Sequence, residues 1–470
     1  MWARQVPCAT GADTRADGGR SDRRTDRFSL DESGVRAGPK FVRRGALTPA
    51  SRDYNLGVFY DVLIVGGGPA GSSCARVLTA GGARVAIVDR AAFPRVKLCG
   101  GWVSAAIWDA LELAPREYPG GLWEWHTCHV HHRGESHAVP CHGWFIRRVE
   151  LDDFLLRRSG AALHLGLSVR DIVRDGEGLW SIGDLRARHL VGAGGTHCPV
   201  ARLFPPPRPT AAVGAQENEF ALDRAAIARA RAGRDGEPEL YLHDALDGYS
   251  WNVPKTDWLN VGSGTADPNQ VRRAWQSARA HFEGAGHLPA QASAELNAMK
   301  GHTYYLYDPA HLRGAGAAND GGPGSVLLCG DSLGLAHPLT AEGILPAVIS
   351  GRMAGEAILA GAPASYGARL ASHPVLADYG RVFRLRQAAT SRLRRRGREV
   401  GRSNGDGAGG GHRRSAAASR ATRIKHRAIA RGFAWMFSGA RLPAPRLLDL
   451  VLGVVDRGAR DGVEPAGRPA

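Results

Sequence analysis

Three glycines at fixed spacing are the first residues in this chain that can do chemistry. Gly66, Gly68 and Gly71 form G-x-G-x-x-G inside YDVLIVGGGPAGSSCARVLTAGGARVAIVDR, between an apolar run and a helix-like segment. The first glycine permits a tight turn, the second lets a pyrophosphate approach the backbone, and the third lets helix pack on strand. The helix N-terminus that follows offers unpaired N–H groups to phosphate. Asp89 closes the second apolar run, where an acid accepts hydrogen bonds from ribose hydroxyls. Ala70 within the turn and Arg90 after the acid complete the expected contacts of a bound dinucleotide. Downstream, FPRVKLCGGWVS sets Lys97, Cys99, Gly100 and Gly101 in one loop. Lys97 and the glycine amides can tune the pKa of the Cys99 thiol. Its chemical reading is a proton donor or polar handle; its bland reading is a small loop residue.

The elements that must position these residues follow from hydrophobic period. Residues 60–89 read as buried strand, glycine turn, helix and second strand. IRRVELDDFLLRRSGA reads as a helix after an arginine pair, and LHLGLSVRDIVRD and LWSIGDLRARHLVGAGG read as strands. Residues 118–146 form an irregular stretch rich in Trp and His. FPPPRP marks a boundary near 204–209. Residues 210–310 read as a second layer of strands with a helix near 269–285. GSVLLCGDSLGLAHPLTAEGILPAVISGRMAGEAI then returns to strand, loop and helix, and an arginine-rich region lies beyond 380.

Charge and composition bound the function. The formal net charge of +16 is uneven. Residues 381–470 carry 21 Lys/Arg against 6 Asp/Glu, and residues 58–380 carry 29 against 32. An anionic partner therefore concerns the tail rather than the body. No run of about 18 apolar residues predicts a transmembrane helix, and no apolar signal core predicts secretion. Seven scattered cysteines predict free thiols in a reducing compartment, hence a cytoplasmic protein. Residues 1–57, rich in Arg, Asp, Gly and Ser without a period, read as a disordered extension.

The far glycine-rich segment narrows the ligand. LLCGDSLGLAHPLTAEGI ends a strand in Gly330-Asp331, then carries Pro338, and Gly343 and Ile344 open a helix. This resembles the second FAD motif of the flavoproteins that include para-hydroxybenzoate hydroxylase. The resemblance implies FAD, with Asp331 on the ribityl chain and the helix start facing the flavin pyrimidine ring. A helix N-terminus suits the negative charge of a reduced flavin. Four further motifs resemble the geranylgeranyl reductase family. FPRVKLCGG is similar to its Pro-x-x-Lys-x-Cys-Gly loop. YSWNVPKTDWLNVGSG is similar to its substrate signature through Tyr249, Trp251, Pro254, Gly262 and Gly264, with Val253 in place of the usual Phe. RRVELDDFLL is similar to its helix entry through Arg148, Leu151 and Asp152. VGAGGTHCPVAR is similar to its Gly-Ala-Asp-Gly segment, with Gly194 in place of the Asp.

That resemblance spans about residues 60–360 and implies hydride transfer from reduced flavin to an isolated double bond of a prenyl chain. It implies FAD contacts from Arg148, Asp331, Pro338, Gly343 and Ile344 besides the glycine turn, Asp89, Arg90, Lys97 and Gly100. It places Cys99, Tyr249 and Trp251 at the reacting bond. Tyr249 and Trp251 alternate with Ser250 and Asn252, so one strand face is aromatic. The expected fold is α/β: a Rossmann-like FAD-binding domain over 58–203 and 318–362, a β-rich substrate domain over 204–317, and a basic helical C-terminal region over 363–470. The cysteine–glycine loop is expected to be mobile over the flavin. Electrons would come from NAD(P)H, visiting transiently, or from a ferredoxin-type donor.

Other features keep rival readings open. His126, His129, His131, His132, His137 and His142, with Cys128 and Cys141, have the residue types of a zinc site. Their spacing is that of a polar β-ribbon instead, and no metal is assigned. The arginine-rich helix and GFAWMFSGARLPAPRLLDLVLGVV suit an anionic membrane surface, as a peripheral protein would use, rather than a specific nucleic acid. A flavin monooxygenase or halogenase on the same fold, and a non-catalytic flavin-fold binding protein, are the alternatives to a reductase.

Overall fold

The structure is a computed structural model that describes residues 58–403, except 205–211, 231–235, 256, 290–291 and 314–323, together with Gly432. The extension over 1–57 and the tail beyond 403 therefore lie outside the described residues.

Two sheets organise the described residues. In the first, β1 (Phe59–Val65) pairs in parallel with β2 (Val85–Asp89), and β2 with β6 (Ala162–Leu165). On its other side β1 pairs in parallel with β9 (Leu185–Gly192), which also takes β15 (Val326–Leu328) in parallel. Antiparallel β8 (Trp180–Ile182) and β7 (Val173–Arg174) complete this sheet. Its central strands are continuous runs of Val, Ile and Leu because helices or loops cover both faces. The helix Pro69–Ala80 follows the glycine turn, with proline in its first turn. It packs on the helix Ile344–Leu359, where a Cβ on Gly351 would lie 2.0 Å from the Ala70 carbonyl oxygen. Small residues let these two backbones touch, which joins both halves of the glycine-rich sequence.

The second sheet runs β14 (Lys300–Tyr305), β10 (Ala212–Ala221), β13 (Trp258–Thr265), β12 (Gly248–Lys255), β11 (Glu239–Leu242), β4 (Leu122–His132), β5 (Glu135–Ile146), β3 (Trp102–Val103). The helix Val271–Gly284 covers one face through Trp275, Ala278 and Phe282.

Two expectations change here. Most of the Trp- and His-rich stretch over 118–146 is an antiparallel hairpin, β4–β5, with a register shift between Trp125 and Thr127. Its histidines do not form one polar face: His129, His131 and His132 are all below a tenth exposed, whereas His126 is exposed. Moreover β3, β4 and β5 belong to the second sheet, because β4 pairs in parallel with β11. The β-rich layer is thus not confined to 204–317; it borrows residues 102–146 from the segment assigned to the nucleotide domain. Parallel pairing over a long sequence separation leaves no local signal.

At the end of the described chain the arginine-rich segment is helical, Pro374–Ser403, as its composition predicts. Among the described residues no helix is long and apolar enough to cross a membrane.

Candidate active site

One cavity of about 420 Å³ opens between the two sheets, within the size range of roughly 300–1,000 Å³ typical of small-molecule sites. One end is the glycine turn. Gly66 holds φ of +110°, and a Cβ there would stand 2.4 Å from the Ala193 carbonyl oxygen. Only glycine fits. Asp89 braces the turn: its Oδ2 accepts from the Gly67 N–H at 2.8 Å and its Oδ1 from the Ala91 N–H at 2.9 Å. Arg95 hangs over it, with Nη2 3.3 Å from the position of a Cβ on Gly68. Arg95 Nη2 also pairs with Asp152 at 3.0 Å. Burial lowers the Arg95 pKa, against the nearby Asp152 carboxylate. A backbone cradle, a helix N-terminus and a partly desolvated guanidinium fit a diphosphate.

The other end is built by the second glycine-rich segment. Asp331, Gly343 and Ile344 line the cavity, and a Cβ on Gly343 would stand 3.1 Å from Asp331 Oδ1. Burial pushes the Asp331 carboxyl up, while Lys97 and Arg148 pull it down. Arg148 lies in the cavity wall with its fork closed on fully buried Asp152, at 2.6 and 2.8 Å. Burial opposes its charge, but Asp152 outweighs burial and holds the guanidinium ionised. Asp152 thus fixes two arginines, one from the helix Arg148–Arg158 and one from the loop after β2.

The facing wall is apolar and aromatic. Leu240, Tyr249, Trp251, Val253 and Tyr304 contribute to it. The rings of Tyr249 and Trp251 are 5.9 Å apart, and alternation along β12 turns Ser250 and Asn252 to the opposite face. Tyr249 donates its hydroxyl proton to the Thr340 carbonyl at 2.6 Å, and Trp251 Nε1–H donates to Asn260 Oδ1 at 2.6 Å. Gly262 makes room for the indole, since a Cβ there would lie 2.3 Å from Trp251 Cζ2.

Cys99 lies in the same wall, half-buried. Hydrogen bonds anchor its loop to the second sheet. The Cys99 carbonyl accepts from Lys255 Nζ at 2.7 Å and from Asn260 Nδ2 at 3.3 Å. Gly101, at φ +69°, has its carbonyl bonded to the Ile146 N–H. The glycines here serve close approach: a Cβ on Gly101 would meet the Ile146 carbonyl oxygen at 2.1 Å.

The cavity brings together Cys99, Tyr249, Trp251, Gly66, Gly68, Ala70, Asp89, Arg90, Lys97, Gly100, Arg148, Asp331, Gly343 and Ile344. It does not take in Gly71 or Pro338. Gly71 serves packing instead, with a Cβ 1.9 Å from the Gly66 carbonyl oxygen, and the Pro338 carbonyl accepts from Arg386 at 3.1 Å. Gly194, where the motif has Asp, backs onto Cys198, which would stand 3.2 Å from a side chain's Cβ.

Sequence reasoning missed Arg95, Glu217, His302, Tyr304 and Glu342, all in the cavity wall. Burial raises the Glu217 carboxyl to about 7, against the lowering pull of Lys255 and Lys97. Its Oε2 is buried and makes no hydrogen bond to the described residues. Burial also raises Glu342 to about 7 and lowers His302 to about 4. The alternating pattern of β10 was the available signal for Glu217. It did not say which face is the cavity.

Comparison with known proteins agrees with this geometry. Residues 59–103 match the FAD binding domain family. The chain is 26% identical over 340 residues to menaquinone reductase of Mycolicibacterium smegmatis, covering 65% of this chain and 78% of that protein. It is 26% identical over 354 residues to geranylgeranyl diphosphate reductase of Synechocystis sp., covering 70% and 82%. The flavin-dependent brominase Bmp2 shares the fold, with a TM-score of 0.53 at 16% identity over 86% of this chain and 100% of that one. The cofactor is FAD, and the chain is an FAD-dependent oxidoreductase. Its resemblance to geranylgeranyl reductases, carried by the loop, substrate-signature and helix-entry motifs, is met by a relative of that name.

Proposed function

We propose that this oxidoreductase saturates a carbon–carbon double bond in a prenyl chain or a related apolar substrate. The supporting observation is the meeting of the nucleotide cradle with an aromatic wall that holds a buried, protonatable carboxyl group. In this reading Gly66, Gly68, Ala70, Asp89, Arg90 and Arg95 hold the nucleotide and pyrophosphate. Lys97, Gly100, Arg148, Asp331, Gly343 and Ile344 hold the flavin half. Bound there and reduced by NAD(P)H or a ferredoxin-type donor, FAD would supply the hydride for one alkene carbon.

The chain's own residues do the rest. Leu240, Tyr249, Trp251 and Val253 exclude water and offer no strong nucleophile to an electron-poor carbon. Glu217 carries the proton for the second carbon. With its pKa near 7 it is protonated in part at neutral pH, and it is a stronger acid than an ordinary thiol of about 8.5. Cys99 is the polar group beside the double bond. The test is anaerobic reoxidation of the reduced enzyme by polyprenyl lipids, with mass analysis of the product. A gain of two hydrogens is expected. A gain of oxygen or halogen, or purification without flavin, overturns the reading.

A further inference from the structure

The opposite face of the second sheet carries separate chemistry. Leu240 lines the cavity, so Glu239 and Tyr241 beside it on β11 point the other way, under the helix Val271–Gly284. The β4–β11 register sets His131 against Tyr241, and the β11–β12 register sets Glu239 against Asn252. The last helical turn and the turn after it bring His281 and His287 over this spot.

Ligand atoms of His131, Glu239 and His287 all lie within 4.8 Å of one another, and all three residues are buried. Glu239 Oε1 is 2.7 Å from His287 Nδ1 and 3.7 Å from His131 Nε2. His131 Nδ1 stands 2.8 Å from Ser136 Oγ, and when that hydroxyl accepts from Nδ1–H the Nε2 lone pair faces the cluster. That Nε2 makes no hydrogen bond. The other Glu239 oxygen accepts from Asn252 Nδ2 at 2.9 Å, and the same amide nitrogen donates to the His287 carbonyl at 3.1 Å. His281 stacks at a tilt 4.6 Å from His131, and its buried Nε2 also makes no hydrogen bond.

We propose that His131, Glu239 and His287 bind a structural Zn2+ ion, with His281 in reach of the fourth position. Two imidazoles and one carboxylate suit zinc, whereas calcium and magnesium take oxygen alone. Donors bonded at about 2.1 Å in a tetrahedron lie about 3.4 Å apart. The 3.7 Å separation is close to that, and the 2.7 Å pair opens by less than an ångström. Second-sphere Ser136 and Asn252 orient the ligands as such sites require. None of the three ligands lines the cavity, so the ion's role is to tie β4 and β11 to the turn that follows the covering helix. Cys128 and Cys141 stay out: Cys128 is in the core beneath, and Cys141 donates to the Val139 carbonyl.

The test uses the full chain, purified without a histidine tag, and reads no catalytic activity. About one Zn2+ per chain is expected by elemental analysis, and Co2+ substitution should give the intense visible bands of four-coordinate nitrogen–oxygen ligation. His131→Ala should lower Zn2+ affinity by about 100-fold or more, and Ser136→Ala by about tenfold. Chelation should lower the Tm of the wild type and leave His131→Ala unmoved. Wild-type protein without zinc, whose Tm does not rise on adding Zn2+, overturns the proposal and leaves a buried contact between His287 and Glu239. Undiminished zinc in His131→Ala overturns the ligand assignment. Should that variant fail to fold, zinc content and Tm of the wild type decide alone.

Discussion

Replacing Glu217 by glutamine removes one proton from a cavity wall while keeping the side chain's shape. In the folded chain burial raises this carboxyl from 4.5 to about 7. The unfolded chain therefore releases the proton first as pH rises. Glu217 costs the fold nothing below about 4.5, a growing amount between 4.5 and about 7, and its full penalty above that. A shift of that size corresponds to about 3 kcal/mol. Glu217→Gln should thus be more stable than wild type at pH 8 to 9 by up to about 3 kcal/mol, and equal to it near pH 4. Catalysis should move the other way. Loss of a positioned general acid costs about 100-fold or more in the rate of alkene reduction. Wild-type turnover should fall tenfold per pH unit above about 7, and the variant's small rate should be flat there. Denaturant melts across pH measure the first effect, and single-turnover flavin reoxidation under anaerobic conditions measures the second. A variant that keeps the wild-type rate and its pH profile refutes Glu217 as the proton source. A variant no more stable at pH 9 refutes the buried charge itself.

Three substitutions probe the rest of the site. Gly66→Ala forces a Cβ to 2.4 Å from a carbonyl oxygen at φ +110°; it should cost about 2 kcal/mol or more and yield protein without co-purifying flavin. Normal flavin content would show that the turn does not hold the cofactor. Cys99→Ala should retain FAD and slow alkene reduction, since the loop stays anchored through the Cys99 carbonyl and Gly101 while the polar group beside the double bond is lost. Unchanged turnover would make the thiol a spacer. Gly262→Ala places a Cβ 2.3 Å from Trp251 Cζ2, so the indole must shift at a cost of about 1–3 kcal/mol. KM for the apolar substrate should rise while flavin binding stays; an unaltered KM would remove Trp251 from the substrate wall.

The nucleotide half was legible in the sequence because its constraints are local. A strand, a turn that only glycine can make, a helix start and an acid follow one another within about thirty residues, and each step is fixed by backbone geometry. Gly66, Gly68, Ala70 and Asp89 lie at the cavity for that reason. The aromatic face of β12 was legible too, because period-2 alternation puts Tyr249 and Trp251 together whatever surrounds them.

Only the tertiary structure decided what depends on distant pairing. The second sheet takes in residues 102–146 through parallel contact of β4 with β11, which no local pattern announces. Glu217 became an acid near neutrality because burial removes its water, and burial belongs to the assembled cavity rather than to strand β10 alone. Asp152 holds Arg148 through a helical i,i+4 step that the sequence contains, yet it also holds Arg95 across a gap of 57 residues that the sequence does not reveal. His131, Glu239 and His287 meet for the same reason: sheet register and helix packing bring together side chains whose sequence spacing carries no metal motif. The sequence determined the glycine turn and the acid that braces it through backbone sterics. The acids, the second sheet's membership and the histidine cluster were decided by packing, which sets dielectric and proximity only once the chain has folded.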